Sequence, residues 1–137
     1  MAKRGIVAFV AGFVATLVFH QAVLWCLYNF GYASRAPWQM QKVPPFGIPA
    51  VISLAFWGGV WGVIMMLAIA SRRGAAFWIA AILFGALFPT LVALFIVAPL
   101  KHMPIAGWNP KTMMVGLVVN GVWGFGTALI YRVFVPR

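Results

Sequence analysis

Four long apolar stretches alternate with short polar ones along this chain of 137 residues. They cover residues 5–28, 46–70, 75–98 and 112–135. Each is long enough to cross a bilayer as a helix, which needs about 20 apolar residues. The pattern therefore predicts an all-α integral membrane protein, a four-helix bundle that forms one transmembrane domain over residues 1–137.

The composition supports a membrane protein and excludes several kinds of chemistry. Hydrophobic residues make up 65% of the chain and charged residues only 7%, whereas a soluble domain is nearer half apolar and one-quarter charged. The chain has ten Lys and Arg residues and no Asp or Glu. No carboxylate side chain can therefore carry protons, bind hard cations or act as a general acid or base. The charge of +10 predicts contact with anionic lipid head groups, and we expect no nucleic-acid partner.

The basic residues and loops predict how the chain crosses the membrane. The turn at 71–74 is short and joins the second and third helices as an antiparallel hairpin. The loops at 32–45 and 99–111 are rich in Pro, and their Trp38 and Trp108 are expected near the outer interface. Six basic residues flank the helices on the side of the termini: Lys3, Arg4, Arg72, Arg73, Arg132 and Arg137. Four lie on the other side, so we predict cytoplasmic termini, in a bacterial inner membrane.

Small residues recur at helical spacing on every predicted helix. In lipid, helices associate through close backbone contact and interhelical hydrogen bonds, so such stripes predict packing faces. The predicted packing glycines are Gly12, Gly58, Gly62, Gly85, Gly116 and Gly124. The tetrapeptide Gly-Val-Trp-Gly at residues 59–62 recurs at 121–124, and Thr-Leu-Val at 16–18 recurs at 90–92. This weak repeat suggests that the bundle consists of two duplicated helical hairpins.

Polar side chains at membrane depth are the candidate ligand-binding residues. They are His20, Gln21, Asn120, Thr90, Ser53 and Thr16. At a rise of 1.5 Å per residue, most of them fall at a similar depth, one layer drawn from all four helices. One interpretation is that these side chains bond to each other or to backbone and hold the bundle together. The other is that they line a polar cavity that accepts anions or neutral polar molecules.

No enzyme, metal or cofactor signature accompanies this layer. Cys26 lies six residues from His20, about 9 Å along the helix, so the two cannot ligate one metal. We expect a non-enzymatic protein without a cofactor. It would pack as a homo-oligomer or as an accessory subunit of a larger membrane complex. The alternative is a transporter or channel for small molecules or anions, with a polar layer around His20 and Asn120.

Overall fold

A computed structural model describes residues 1–105 and 108–136 of the chain. Its four long helices are α1 (Ala2–Asn29), α2 (Ala50–Ile69), α3 (Gly74–Leu100) and α4 (Pro110–Phe134). All four are long and apolar enough to cross a membrane. The predicted all-α four-helix fold is confirmed, and the chain is a small polytopic membrane protein. Arg137, counted above among the basic residues, lies outside the described residues.

The start of α2 differs from the prediction. Residues 46–49 were expected to be helical, but they belong to a small hairpin. Strand β1 (Lys42–Val43) pairs antiparallel with strand β2 (Ile48–Pro49). Pro49 has an extended backbone, with ψ at 140°, and helix α2 begins only after it.

Backbone carbonyls of the loop complete the beginning of α2. The first N–H groups of a helix have no partner within the helix. Here the N–H groups of Ala50 and Val51 donate to the carbonyl oxygens of Gln41 and Gln39, at 2.9 and 3.0 Å. The hairpin is therefore fixed to the helix that follows it, and no side chain is needed as a cap.

The helices pack as two close pairs joined at the centre. The most extensive contacts are between α3 and α4 and between α1 and α2, and α1 also packs along α4. In contrast, α2 and α3 are joined by the short turn at 70–73 but contact each other little. The bundle therefore has α1 and α4 at its centre and an open side between α2 and α3.

Glycines allow α1 and α2 to approach at backbone distance. A Cβ added to Gly62 would lie 2.6 Å from the carbonyl oxygen of Ala8 and 3.1 Å from the Cα of Gly12. A Cβ added to Gly12 would overlap the carbonyl oxygen of Gly58. Since real Cβ atoms do not come this close to backbone, none of these three glycines can be exchanged without separating the helices. The pairing of Ala8 with Gly62, and of Thr16 with Gly58, also shows that the two helices are antiparallel.

The same construction recurs between α3 and α4. A Cβ on Gly124 would overlap the carbonyl oxygen of Ala81 and lie 3.1 Å from the Cα of Gly85. A Cβ on Gly85 would lie 2.5 Å from the carbonyl oxygen of Asn120. Position 124 thus takes the place that position 62 has in the first pair, as the sequence repeat suggests. The duplication itself stays a prediction.

A buried tryptophan connects the two pairs. The indole N–H of Trp123, in α4, donates to the carbonyl oxygen of Gly12 in α1 at 3.1 Å. Nearby, Gly126 lies directly against the ring of Phe19. Ala11 of α1 is fully buried and belongs to the same core cluster as Trp123. Gly12 therefore takes part both in the contact of α1 with α2 and in the contact between the two pairs.

At each end of the bundle, a basic side chain of α4 donates a hydrogen bond to a backbone carbonyl outside that helix. At one end, the Lys111 ammonium donates to the carbonyl oxygen of Gly31 at 2.9 Å. At the other end, the Arg132 guanidinium donates to the carbonyl oxygen of Arg72 at 3.1 Å and stacks 3.9 Å from the ring centre of Phe77. The turn at 70–73 and the end of α4 therefore lie together.

Candidate functional site

A short π-helical segment interrupts α1 next to the predicted polar residues. It covers Thr16–His20. The N–H of Gln21, which follows the segment, donates to the carbonyl oxygens of Thr16 and Val18. In an α-helix that N–H would bond to Leu17, four residues back. The N–H of Gln21 therefore does not bond to the carbonyl oxygen of Leu17. Turns of π-helix are frequent at functional sites.

Trp38, in the loop after α1, folds back onto this segment. Its indole N–H donates to the carbonyl oxygen of Leu17 at 2.9 Å, and its backbone N–H donates to the Gln21 side-chain oxygen at 2.7 Å. The backbone of Trp38 has a positive φ of 48°, which is uncommon for a residue other than glycine. The two hydrogen bonds to α1 maintain this conformation and attach the loop to the helix.

The bond from Trp38 also determines how Gln21 and His20 meet. Because the Gln21 oxygen accepts from Trp38, its amide nitrogen is the group that faces His20. That nitrogen lies 3.0 Å from Nδ1 of the imidazole, and it can only donate. We therefore assign Nδ1 as the acceptor and place the proton of the neutral ring on Nε2. Gln21 is buried, whereas His20 is half-buried.

A similar arrangement is found in the second half of the chain. Helix α3 contains its own π-helical segment at Ala93–Val97. Trp108, in the loop after α3, also has a positive φ, at 53°, and its ring lies 5.9 Å from that of Phe95. Both odd-numbered helices thus carry a π-helical segment against which a loop tryptophan packs, although only Trp38 forms a hydrogen bond there among the residues described.

Thr90 and Asn120 form a separate polar pair between α3 and α4. The Asn120 amide donates to the Thr90 hydroxyl at 2.8 Å, and that hydroxyl donates to the carbonyl oxygen of Gly116 at 3.2 Å. Gly116 itself packs against the methyl group of Thr90, which would lie 3.2 Å from an added Cβ. The chain of donors from Asn120 through Thr90 therefore ends on a backbone carbonyl.

The predicted polar layer is therefore divided. Within the described residues, no hydrogen bond links the pair of His20 and Gln21 to the pair of Thr90 and Asn120. The hydroxyl of Thr16 bonds to the carbonyl oxygen of Gly12, four residues back in its own helix, at 2.9 Å. Ser53 is half-buried on α2 and makes no side-chain hydrogen bond to a described residue.

Among the cavities that open on the described part of the bundle are two that none of these polar residues lines. The larger, about 830 Å³, lies where α3 begins and α4 ends, and its walls are Arg73, Gly74, Phe77, Trp78, Arg132 and Pro136. The second, about 300 Å³, is a crevice between α2 and α3. Across residues 1–105 and 108–136, no three His, Cys, Asp or Glu side chains are grouped as a metal site would require.

Comparison of the chain with protein-family models, with curated proteins and with solved structures gives no match. The function is therefore inferred from the residues and their geometry.

Trp38 is the residue of this site that sequence reasoning missed. It was expected only to lie near the outer interface, as amphipathic rings do. Its position after Pro37, in a loop that also contains Arg35 and Lys42, indicated a loop at the membrane surface. Nothing in that pattern indicates that its two N–H groups bond to α1.

Proposed function

We propose that this protein is a non-enzymatic membrane subunit, which packs with copies of itself or as an accessory subunit of a larger membrane complex. We expect it in a bacterial inner membrane with both termini in the cytoplasm. The basis for that orientation is the excess of Lys and Arg around the termini and the turn at 70–73.

The observation that carries the proposal is that most of the candidate polar side chains at membrane depth are hydrogen-bonded within the protein. Asn120 bonds to Thr90, and Gln21 bonds to Trp38 and His20. A side chain that lines a transport pathway needs hydrogen-bonding capacity toward water or substrate. Here the bonds of Gln21, Thr90 and Asn120 direct much of that capacity into the protein, which favours a rigid scaffold over a pathway.

The loop at the end of the bundle that holds Trp38 presents an apolar surface beyond the helices. Phe46, at the tip of the hairpin between β1 and β2, is 84% exposed, and Phe30 and Met40 are also exposed. Apolar side chains exposed in this way outside the helices are available for contact with a protein or a membrane. The charge of +10, with no acidic residue, fits a partner that carries acidic side chains.

A pathway for anions or small molecules through a dimer is the second candidate. One observation favours it: His20 is only half-buried, and its ring uses Nδ1 for Gln21, so Nε2–H is left to donate. Within the described part of the chain, Nε2 has no hydrogen-bond partner. A dimer that brought two such rings together, with Gln21 and Asn120, would provide donors and no carboxylate.

The test of the proposal is extraction of the full chain in native lipid, followed by mass spectrometry of intact complexes. We expect masses above that of the 15.0 kDa monomer, from added copies or from a second membrane protein. A lone monomer would overturn the assembly role. Reconstitution into liposomes separates the two candidates, since chloride or nitrate flux that His20→Ala abolishes would support the pathway instead.

A further inference from the structure

The gap between α2 and α3 exists because each of these helices packs closely against a different partner. The glycine contacts draw α2 against α1 and α3 against α4, while the turn at 70–73 holds the ends of α2 and α3 together. An open crevice of about 300 Å³ therefore lies between the two helices. The described residues that line its membrane-spanning part have apolar side chains, which do not favour water: Ala68, Ile69, Ala80, Leu83, Phe84, Leu87 and Phe88.

The crevice is apolar along its length and basic at one end. Its α3 wall extends from Ala80 to Phe88, which is about 12 Å along the helix. Arg72 lines the end next to the turn and is exposed. The chain contains no Asp or Glu, so no acidic side chain of this protein can neutralise that guanidinium.

We propose that this crevice binds one phospholipid with an anionic head group, in the leaflet that faces the turn at 70–73. One acyl chain lies along Leu83 and Leu87, and the phosphate pairs with Arg72. An apolar channel that ends at an arginine matches the two parts of such a lipid, and Arg binds phosphate through two parallel N–H donors. The lipid fills the space that the glycine contacts leave open and joins α2 to α3.

A second copy of the chain fits the crevice less well. Two copies related by a two-fold axis through this face would bring two turns together, each carrying Arg72 and Arg73. Like charges placed together disfavour association, and no acidic residue of either copy can offset them. The charge therefore favours a lipid over self-association at this face.

The experiment measures retained lipid by mass spectrometry of the intact protein, after exchange into phosphatidylglycerol or phosphatidylcholine with identical acyl chains. We expect one phosphatidylglycerol per chain and weaker retention of phosphatidylcholine. Arg72→Gln should lower phosphatidylglycerol retention about fivefold, the effect of one basic residue on anionic lipid. Arg73→Gln is the matched control, since it removes the same charge one residue away and does not line the crevice.

Filling the crevice tests the acyl chain separately. Leu87→Trp should displace both lipids, whereas Ile79→Trp, on an exposed part of α3 outside the crevice, should displace neither. Equal retention of the two lipids, or equal effects of Arg72→Gln and Arg73→Gln, would overturn the proposal. So would release of phosphatidylglycerol by millimolar inorganic phosphate, which would identify a site for a soluble anion. Disulfide-linked dimers of Leu87→Cys in a Cys26→Ser chain would assign the crevice to a second copy and overturn it too.

Discussion

The indole N–H of Trp38 lies 2.9 Å from the carbonyl oxygen of Leu17, 21 residues earlier in the chain. In an ordinary α-helix that carbonyl would accept from the N–H of Gln21, which here bonds to Thr16 and Val18 instead. The loop therefore satisfies a backbone group that the helix leaves available, and the backbone N–H of Trp38 holds the Gln21 side chain at the same place. A polar residue at membrane depth thus acquires a partner from outside the helices.

Removing the indole N–H should loosen the loop. Trp38→Phe keeps an aromatic ring but leaves the Leu17 carbonyl without this donor, so the free energy of unfolding should fall by about 1 kcal/mol. Trypsin should also cut faster at Arg35 and Lys42, which lie on either side of Trp38. Trp25→Phe is the control, because Trp25 is exposed on α1 and its indole makes no hydrogen bond to a described residue. Unchanged cleavage in Trp38→Phe would show that the loop is held by other contacts.

The glycine contacts predict a large difference between two alanine substitutions in the same helix. Gly12→Ala would place a methyl group on the carbonyl of Gly58, and overpacking of this kind costs about 1–3 kcal/mol. Gly5→Ala, with no atom within 4 Å of the added Cβ, should leave the free energy of unfolding unchanged or raise it by up to about 1 kcal/mol, since alanine favours the helix more than glycine does. Unfolding in detergent, followed by circular dichroism, measures both. Equal stabilities of the two variants would contradict the close contact of α1 and α2.

Thr90 and Asn120 should be energetically coupled. A double-mutant cycle with Thr90→Val and Asn120→Leu should give a coupling of about 0.6 kcal/mol, the average for hydrogen bonds between membrane helices, and at most about 1.7 kcal/mol. The same cycle with Ser53→Ala in place of Thr90→Val should give no coupling, because Ser53 makes no bond to Asn120. A coupling near zero for the first cycle would mean that the pair does not hold α3 to α4.

The four spans and their internal glycine contacts follow from properties that act locally. An apolar run of about 20 residues has few alternatives to a spanning helix, and small residues four apart must share a helix face. The start of α2 was predicted four residues too early, because a proline such as Pro49 can occupy either the first helical turn or the residue before the helix. Only the hydrogen bonds from Ala50 and Val51 to the loop show where α2 begins.

The sequence identifies the residues of the two polar pairs as candidates, but it does not show which of them bond to each other. A constant rise per residue predicts His20, Thr90 and Asn120 in one layer only if the helices are straight and their ends lie at the same height. Rotation about each helix axis and the π-helical segments are not visible in hydropathy. The hydrogen bond from the Trp38 indole depends on the positive φ of Trp38. It also depends on the carbonyl oxygen of Leu17, which in an ordinary α-helix would accept from Gln21.

The orientation in the membrane can be tested with single cysteines in a Cys26→Ser chain. Arg35→Cys, in the loop after α1, should react with a membrane-impermeant maleimide added to intact spheroplasts. Arg73→Cys, in the turn between α2 and α3, should react only after the membrane is opened. The positive-inside excess is the physical reason. Labelling in the reverse order would place the termini on the outer side.

The proposed scaffold requires that Gln21, Thr90 and Asn120 be hydrogen-bonded within the protein rather than exposed to a water-filled path. Thr90→Cys in a Cys26→Ser chain tests this requirement most directly. Thr90 is buried, and its hydroxyl accepts from Asn120 and donates to Gly116. The measurement is the rate of modification by a small anionic methanethiosulfonate, relative to Arg35→Cys. We predict a rate at least about a hundredfold slower, since opening the pair must precede reaction. A rate close to that of Arg35→Cys, slowed by added chloride or nitrate, would contradict the account and establish a pathway.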